Sequence, residues 1–279
     1  MRLDRLSGLM DNFELSVDLN LSERSLGTAN IVVVGNRDTL VATRVVLSLG
    51  EPLDRGLFAE EAILVNGHAD WGGYDNPFVA SLGAVVDLHV PASGELNLLV
   101  NLLLVEHSRQ RCGSGSVLNR IAEILIVFVL RSQLEKGSAD VGLIAGLADA
   151  RISRAIVSIH NDPGHNWNNV ELAKIAGISL SRFCDIFSSR VGKPPITYLR
   201  AYRLTLAKRD IAKGQRIKSV ARRYGYGSGE ALCRALKKEL GVTPRALQRL
   251  RKLDFPEQLL SLEHGDSGRR EERLMQGAA

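Results

Sequence analysis

The sequence predicts an α+β fold with a β-rich N-terminal half and an all-helical C-terminal half. Three observations predict this division. Short runs rich in Val, Ile and Leu, broken by turns, occur in the first third of the chain, two apolar segments of helical length follow, and one helical pattern then occurs twice. A chain of 279 residues is long enough for two domains of ordinary size, each with its own core.

Four runs in the first third of the chain have the composition of β-strands. Turn signals such as Gly35-Asn36 and Gly72-Gly73 separate them. Strands of this length at this spacing are typical of a small sandwich or barrel. The runs are ANIVVVG, TLVATRVVLSL, EAILVNGHA and GAVVDLHV.

The next two segments, over 95–108 and 116–137, have the length and periodicity of helices. In the second, apolar residues recur at steps of three and four, and further apolar residues widen the stripe. Such a helix is expected to bury two sides. One side would pack on the β unit, and the other would meet either its own domain or a second copy of the chain. The stripe consists of Leu118, Ile121, Leu125 and Phe128, and the additional residues are Ile124, Val127 and Val129.

The charge of the chain is unevenly distributed. Residues 1–150 hold 11 Lys or Arg against 19 Asp or Glu, a net charge of −8, whereas residues 151–252 hold 22 against 6, a net charge of +16. A positive charge this concentrated indicates a polyanionic partner, with duplex DNA as the first candidate, although a solvated basic surface is the alternative. Three scattered Cys, no apolar run of membrane-spanning length and no signal core predict a cytoplasmic protein with no membrane partner.

The helical pattern of the basic half is an internal repeat. Ala173 and Gly177 are matched by Ala221 and Gly225, 48 positions later, while Phe183 and Phe187 are matched by Leu232 and Leu236, 49 positions later. One structural unit used twice is the simplest explanation. Each copy predicts a helix-turn-helix, about 169–190 and about 217–240, in which the glycine ends the first helix and the second helix is free to enter a major groove.

A long helix is predicted between the two copies, within PPITYLRAYRLTLAKRDIAKG. It would fix the separation of the two second helices, which we call the readers. Readers that occupy successive major grooves on one face of DNA lie roughly 34 Å apart.

Helical spacing from the buried positions predicts which residues face DNA. On the first reader these are Ser181, Arg182, Cys184, Asp185 and Ser188, and on the second they are Ser228, Gly229, Glu230, Ala231, Arg234 and Lys238. Predicted phosphate contacts come from Ser179, Arg200, Arg203, Lys237 and Arg245. Arg234 is expected to pair with a guanine. Asp185 is expected either to accept from a cytosine amino group or to form a salt bridge with Arg182 or Arg190.

The basic half resembles the AraC/XylS family of bacterial transcription regulators over residues 150–252. The resemblance is carried by LAKIAGISLSRFCDIFSSRVGKPPITYLRAYRLTLAKRDI and VARRYGYGSGEALCRALKKELGVTPRAL. The family favours a basic residue near Asp185, so the first reader departs from its pattern. The upstream segments LLVNLLLVEHSRQRCGSGSVLNRIAEILIVFVLRSQLE and GLIAGLADARISRAIVSIHNDPGHNWNNVELA resemble the cupin-type sensor half of one branch of these regulators.

These resemblances imply a domain plan and a function. A cupin-like β-barrel for sensing and dimerisation would occupy 1–136, a linker 137–152, the DNA-binding domain 153–252 and a flexible tail 253–279. The function implied is sequence-specific transcription regulation, with a small-molecule or oxidant effector, a homodimer, and RNA polymerase as a partner if the protein activates.

Signals for other chemistry are weak in this sequence. His68, Asp70 and His89 lie in the β region, but their loose spacing does not predict a metal site. No nucleophile motif occurs, so neither catalysis nor a cofactor is predicted. Cys112 follows two arginines and is a candidate oxidant sensor. The alternative functions are a metal-dependent cupin enzyme fused to a DNA-binding module and a constitutive DNA-binding protein.

Overall fold

The computed structural model describes residues 4–12, 15–19, 29–48, 53–70, 85–137 and 141–248. The chain divides into two compact units, Met1–Thr205 and Leu206–Ala279. The tail predicted over 253–279 lies outside the described residues. The α+β class is confirmed, since a sheet occupies the N-terminal part and helices occupy the rest.

The first unit begins with helix α1, Ser7–Asn12, and a five-stranded antiparallel sheet with the order β1-β4-β2-β3-β5. The strands are β1 Ser16–Asp18, β2 Ile31–Gly35, β3 Ala42–Ser48, β4 Ala62–Asp70 and β5 Val85–His89. Strands β2 to β5 each lie within one of the four runs predicted as strands, give or take a residue. Helix α1 and strand β1 were not predicted, because elements this short carry too few residues to show a period.

Strand β2 forms the centre of the sheet and is buried along its whole length. Apolar residues of β2 and β3 pack with Leu53 and with Phe58, which is the last residue of a 3-10 turn over Arg55–Phe58. A central strand covered on both faces is expected to be a continuous apolar run, as IVVVG is.

Two long helices, α2 Glu95–Arg109 and α3 Ser114–Lys136, follow the sheet and pack against each other. Helix α3 also contacts β1 and β5, through a buried stripe that includes Leu118, Ile121 and Leu125. The expectation that α3 buries two sides within its own domain is wrong, because Ile124 is 49% exposed. Of the other two residues that widen the stripe, Val127 is half-buried and Val129 is buried.

The segment predicted as a linker, 137–152, contains a helix, α4 Leu143–Ala148. Its apolar side chains are buried, and a β-carbon on Gly146 would lie 2.7 Å from Val191 in the first reader. The backbone N–H of Gly142 donates to the carbonyl of Arg190 at 2.7 Å. This segment therefore belongs to the core of the first unit, because its short apolar run packs against three other helices.

The remaining helices are one helix that precedes the first helix-turn-helix, the two predicted helix-turn-helix units and the long helix between them. They are α5 Ser153–Asn161, α6 Asn169–Ala176, α7 Leu180–Val191, α8 Pro195–Ala212, α9 Ile217–Arg223 and α10 Gly229–Leu240. The boundary between the compact units falls inside α8. The separation of the two readers therefore stays a prediction.

A buried polar pair joins α5 to α8 within the first unit. The Nε2 atom of His160 lies 2.6 Å from the hydroxyl oxygen of Tyr198, and the imidazole stacks on Tyr202 with ring centroids 4.6 Å apart. Burial lowers the pKa of His160 to about 3, so the imidazole is neutral in the folded protein. The helix that precedes the first helix-turn-helix is thus fixed to the long helix that follows it.

Candidate nucleic-acid interface

Asn168, Gly177 and Ser179 lie at the ends of the two helices of the first helix-turn-helix. Asn168 caps α6 by accepting a hydrogen bond from the N–H of Glu171 at 2.9 Å. Gly177 ends α6 with a φ of 73°, in the left-handed region that favours glycine. Ser179 occupies the N-cap position of α7, where its side chain makes no capping hydrogen bond.

The first reader, α7, buries one face and exposes the other. Phe183 and Phe187 are fully buried and contact each other edge to face, with centroids 5.6 Å apart. Of the five residues predicted to face DNA, Ser181, Arg182 and Asp185 are exposed. Cys184 and Ser188 are half-buried, because they lie at the margins of the packed face.

The Asp185 side chain is exposed on the solvent-facing side of α7. Among the residues that the structure describes, Asp185 forms no ion pair, so the salt bridge considered from the sequence is not present. Arg190 instead lies 3.7 Å from the carboxylate of Asp149, which is held by Arg151. The first reader therefore presents one carboxylate and one guanidinium, Asp185 and Arg182.

The second helix-turn-helix repeats this construction. Gly225 has a φ of 72°, and the Ser228 hydroxyl oxygen caps α10 by accepting from the N–H of Ala231 at 3.2 Å. Leu232 and Leu236 are fully buried, as predicted for the inner face. Both units share the left-handed glycine and the buried inner face, which explains why the repeat is visible in the sequence, whereas only the second reader begins with a side-chain cap.

The opposite face of α10, the second reader, is polar and mostly basic. Three cations on this helix are exposed, together with two carboxylates. Gly229 and Ala231 are only half-buried, and a β-carbon on Gly229 would lie 3.4 Å from a methyl group of Ile217. The exposed charged residues of α10 are Glu230, Arg234, Lys237, Lys238 and, about 180° around the helix from Glu230, Glu239.

An open cleft of about 1110 Å³ lies between α9 and the N-terminal half of α10. Four cationic side chains line it, of which the sequence reasoning had singled out one, Arg234. The three that it missed are Arg216, Lys218 and Arg222. All three are exposed, and their only sequence signal is the basic composition of RIKSVARR. A concave cationic surface beside a reader helix is suited to a phosphate backbone.

A buried carboxylate holds the support helix α9 to the end of α8 inside the second unit. Asp210 is 2% exposed and accepts hydrogen bonds from Arg223, Tyr224 and Arg209. Burial, and then the hydrogen bond to this carboxylate, raise the pKa of Tyr224 to about 12. The phenol therefore stays protonated and donates to Asp210.

The side chains predicted to contact phosphates differ in exposure and in their contacts within the protein. Arg200, Lys237 and Arg245 are exposed. Arg203 donates to the backbone carbonyls of Pro163 and His165, at 2.6 and 2.7 Å, and so fixes the loop that precedes α6. Its phosphate contact remains a prediction, but the structure gives this guanidinium an internal role.

The residues considered for metal and oxidant chemistry lie in the first unit, in the sheet and in the turn between α2 and α3. His68 and Asp70 are on β4, whereas His89 is on β5, and strands β2 and β3 lie between them. Within the described ranges, no group of three His, Cys, Asp or Glu residues is placed to hold a metal ion. Cys112 is exposed in the turn between α2 and α3. In the same described ranges, no helix has the length and hydropathy needed to cross a membrane.

Comparison with known proteins agrees with the repeat and with the sheet. Residues 172–250 match the family described as "Helix-turn-helix domain". Over 163 residues the chain is 35% identical to a putative AraC-like transcription regulator of Streptomyces antibioticus, covering 56% of this chain and 54% of that protein. This chain carries an AraC-type helix-turn-helix domain. Residues 30–135 match the cupin family, so the AraC-type domain follows a cupin domain.

Other relatives of the AraC-type domain cover different shares of the chain. The regulator MtrA of Neisseria gonorrhoeae is 27% identical over 206 residues, which is 72% of this chain and 65% of that protein. The crystal structure of the DNA-binding domain of AdpA with a target DNA is 23% identical, has a TM-score of 0.36, and covers 38% of this chain and 97% of that one. The chain spans about half the length of the Streptomyces relatives that it matches.

Proposed function

We propose that this protein is a sequence-specific transcription regulator whose two helix-turn-helix units bind duplex DNA. The second reader is the observation that carries the proposal. Its inner face is closed by Leu232 and Leu236, while Arg234 and Lys238 project from the exposed face beside a cleft lined by further cations. Within this proposal the domain boundaries stay as predicted, except that residues 143–148 belong to the packed structure.

The two readers would contribute differently to binding. Arg234 is placed to read a guanine edge, and Lys237 and Arg245 to hold phosphates, which position the protein without specifying sequence. The cleft residues Lys218 and Arg222 extend this phosphate track onto α9. The first reader carries Asp185 in its exposed set, so its base preference should differ from that of the second.

Two measurements test DNA binding directly. Selection of bound duplexes from a random pool should enrich one sequence, and the logarithm of the affinity for that sequence should fall steeply with the logarithm of the salt concentration. The double variant R234A/K238A serves as the control, since both side chains are exposed and their loss leaves the core intact. A pool that stays unenriched, or an affinity independent of salt, contradicts the proposal.

We also propose that the chain forms a homodimer through the exposed apolar face of α2 and α3. On α2 the exposed residues Leu98, Leu102 and Val105 recur at steps of four and three, and on α3 Val117 and Ile124 lie two turns apart. An apolar surface of this kind marks a protein contact. A second copy would bring two AraC-type domains to one operator, as a symmetric dimer does.

Sedimentation velocity at micromolar concentration tests the dimer. The wild type should sediment as a dimer and Leu102→Glu as a monomer, because the added charge would be buried at the contact. Leu57→Glu is the matched control, since Leu57 is also exposed but lies on the 3-10 turn. A monomeric wild type, or a dimeric L102E, contradicts this contact.

The cupin domain is proposed to sense a signal in the cytoplasm, as a small molecule or an oxidant. Titration of candidate effectors into the protein–DNA complex distinguishes a sensor from a constitutive binder, because only a sensor changes its DNA affinity. Cys112→Ser tests the oxidant route, since this thiol is exposed. If the protein activates transcription, RNA polymerase is its further partner.

A further inference from the structure

Glu230 is an exposed residue in the first turn of the second reader. Ser228 is the N-cap residue of α10, so Glu230 is the second residue of the helix proper. Arg234 follows one turn later, and both side chains are exposed. Residues four apart lie on the same helix face, with β-carbons roughly 5–6 Å apart. Any base edge within reach of Arg234 is therefore next to one within reach of Glu230.

The surroundings of Glu230 keep its side chain ionised. The Ser228 hydroxyl and the backbone N–H of Glu230 lower the pKa of this carboxyl, and the charges of Arg234 and Lys218 lower it further. Among the described residues that line the cleft, Glu230 is the only acid. A single carboxylate thus stands among four cations on the surface proposed to meet DNA.

A carboxylate at such a position discriminates between bases. It can only accept hydrogen bonds, and it is repelled by phosphate. In the major groove, cytosine N4 and adenine N6 are the amino donors, whereas guanine and thymine offer acceptors, and Asp or Glu characteristically accepts from cytosine. Glu230 would therefore weaken binding to most sequences and favour one with an amino group at the facing base.

We propose that Glu230 is a specificity-determining residue that accepts from a cytosine N4 amino group beside the guanine contacted by Arg234. This assignment rests on the proposed function. In the aligned first unit, Ser181 and Asp185 occupy the positions of Glu230 and Arg234. The first reader therefore carries its acid, Asp185, at the position that Arg234 occupies in the second reader, and a serine at the position of Glu230. The two readers should consequently select different half-sites.

Selection from a random duplex pool, followed by competition with single-pair substitutions, tests this assignment on the full chain. The wild type should prefer cytosine at one position next to the guanine, by about 5- to 100-fold. Glu230→Gln should shift that preference toward adenine, because a Gln amide pairs with both adenine N6 and N7. Glu230→Ala should lose the preference and bind other sequences as tightly as the wild type or more tightly.

Glu239→Gln is the matched control. It removes the same charge from the same helix, but it lies nine residues further on, about 180° around the helix axis. It should keep the wild-type base preference. If both Glu230 variants keep the cytosine preference, with or without a lower melting temperature, Glu230 only caps the helix and the assignment is overturned. If the wild type enriches no sequence, the proposed function itself fails and the assignment fails with it.

Discussion

Replacing Asp210 with alanine should destabilise the second unit without disturbing the first. The Asp210 carboxylate accepts from Arg223 Nη1 at 2.6 Å, from the Tyr224 hydroxyl at 2.8 Å, and from Arg209 Nη2 at 3.1 Å. These contacts join the end of α8 to the end of α9, the helix that supports the second reader. Alanine removes every one of these acceptors.

The expected loss is about 3 kcal/mol, worked from the burial of each donor. Tyr224 is only 3% exposed, so a hydroxyl left without its acceptor costs about 1–3 kcal/mol. The side chains of Arg223 and Arg209 are 49% and 24% exposed, so water replaces part of what they lose and together they add about 1 kcal/mol. A loss of 3 kcal/mol raises the unfolded population of this unit about 150-fold at 25 °C.

Hydrogen exchange measured by mass spectrometry reports each unit separately. Amides of α9 and α10 should exchange about 100-fold faster in Asp210→Ala, while those of α5 and α6 should keep their wild-type rates. Glu239→Ala is the control, because it removes an exposed carboxylate from the same unit. Rates for α9 and α10 within a factor of two of the wild type would refute the energetic reasoning.

Three further predictions concern acid stability, base reading and phosphate binding. The pKa of His160 is about 3 in the folded protein and about 6.5 in the unfolded chain. The folded protein therefore keeps its full free energy of unfolding above pH 6.5 and should lose about 2 kcal/mol of it by pH 5, because only the unfolded chain takes up the proton. Urea unfolding should show this loss in the wild type and a smaller one in His160→Gln; equal losses contradict it. Arg234→Ala should weaken binding to the selected duplex by about 5- to 100-fold but hardly change binding to random DNA, and equal losses in a titration exclude base reading. Lys218→Ala and Arg222→Ala should each reduce the slope of log affinity against log salt by about 0.9 with the base preference unchanged, whereas an altered preference would assign them to base contacts.

The helix-turn-helix units were predictable because their signals are local. Gly177 and Gly225 take the left-handed backbone that ends a helix, and apolar residues at helical spacing define each inner face. The strands were predictable for the same reason, since an apolar run between turn signals needs little further context. Helix α4 was taken for a linker because six residues are too few to show a period.

The functional surface was only partly predictable. Exposure of Arg234 and Asp185 follows from helical spacing, but the cleft that places Lys218 and Arg222 beside Arg234 depends on how α9 packs on α10. Arg203 has the same residue type as Arg200 and lies on the same helix, yet two backbone carbonyls of a distant loop hold it. A sequence pattern shows which residues can carry charge, but it does not show which charges the fold uses internally.

By itself the sequence determined a duplicated bihelical unit, an apolar sheet and a basic half, because periodicity, glycine placement and charge are properties of neighbouring residues. The tertiary structure decided that α4 is core, that His160 is neutral against Tyr198, and that Asp210 is buried under two arginines and a tyrosine. Those outcomes depend on burial and on contacts between residues far apart in the chain. Both are set only when helices pack.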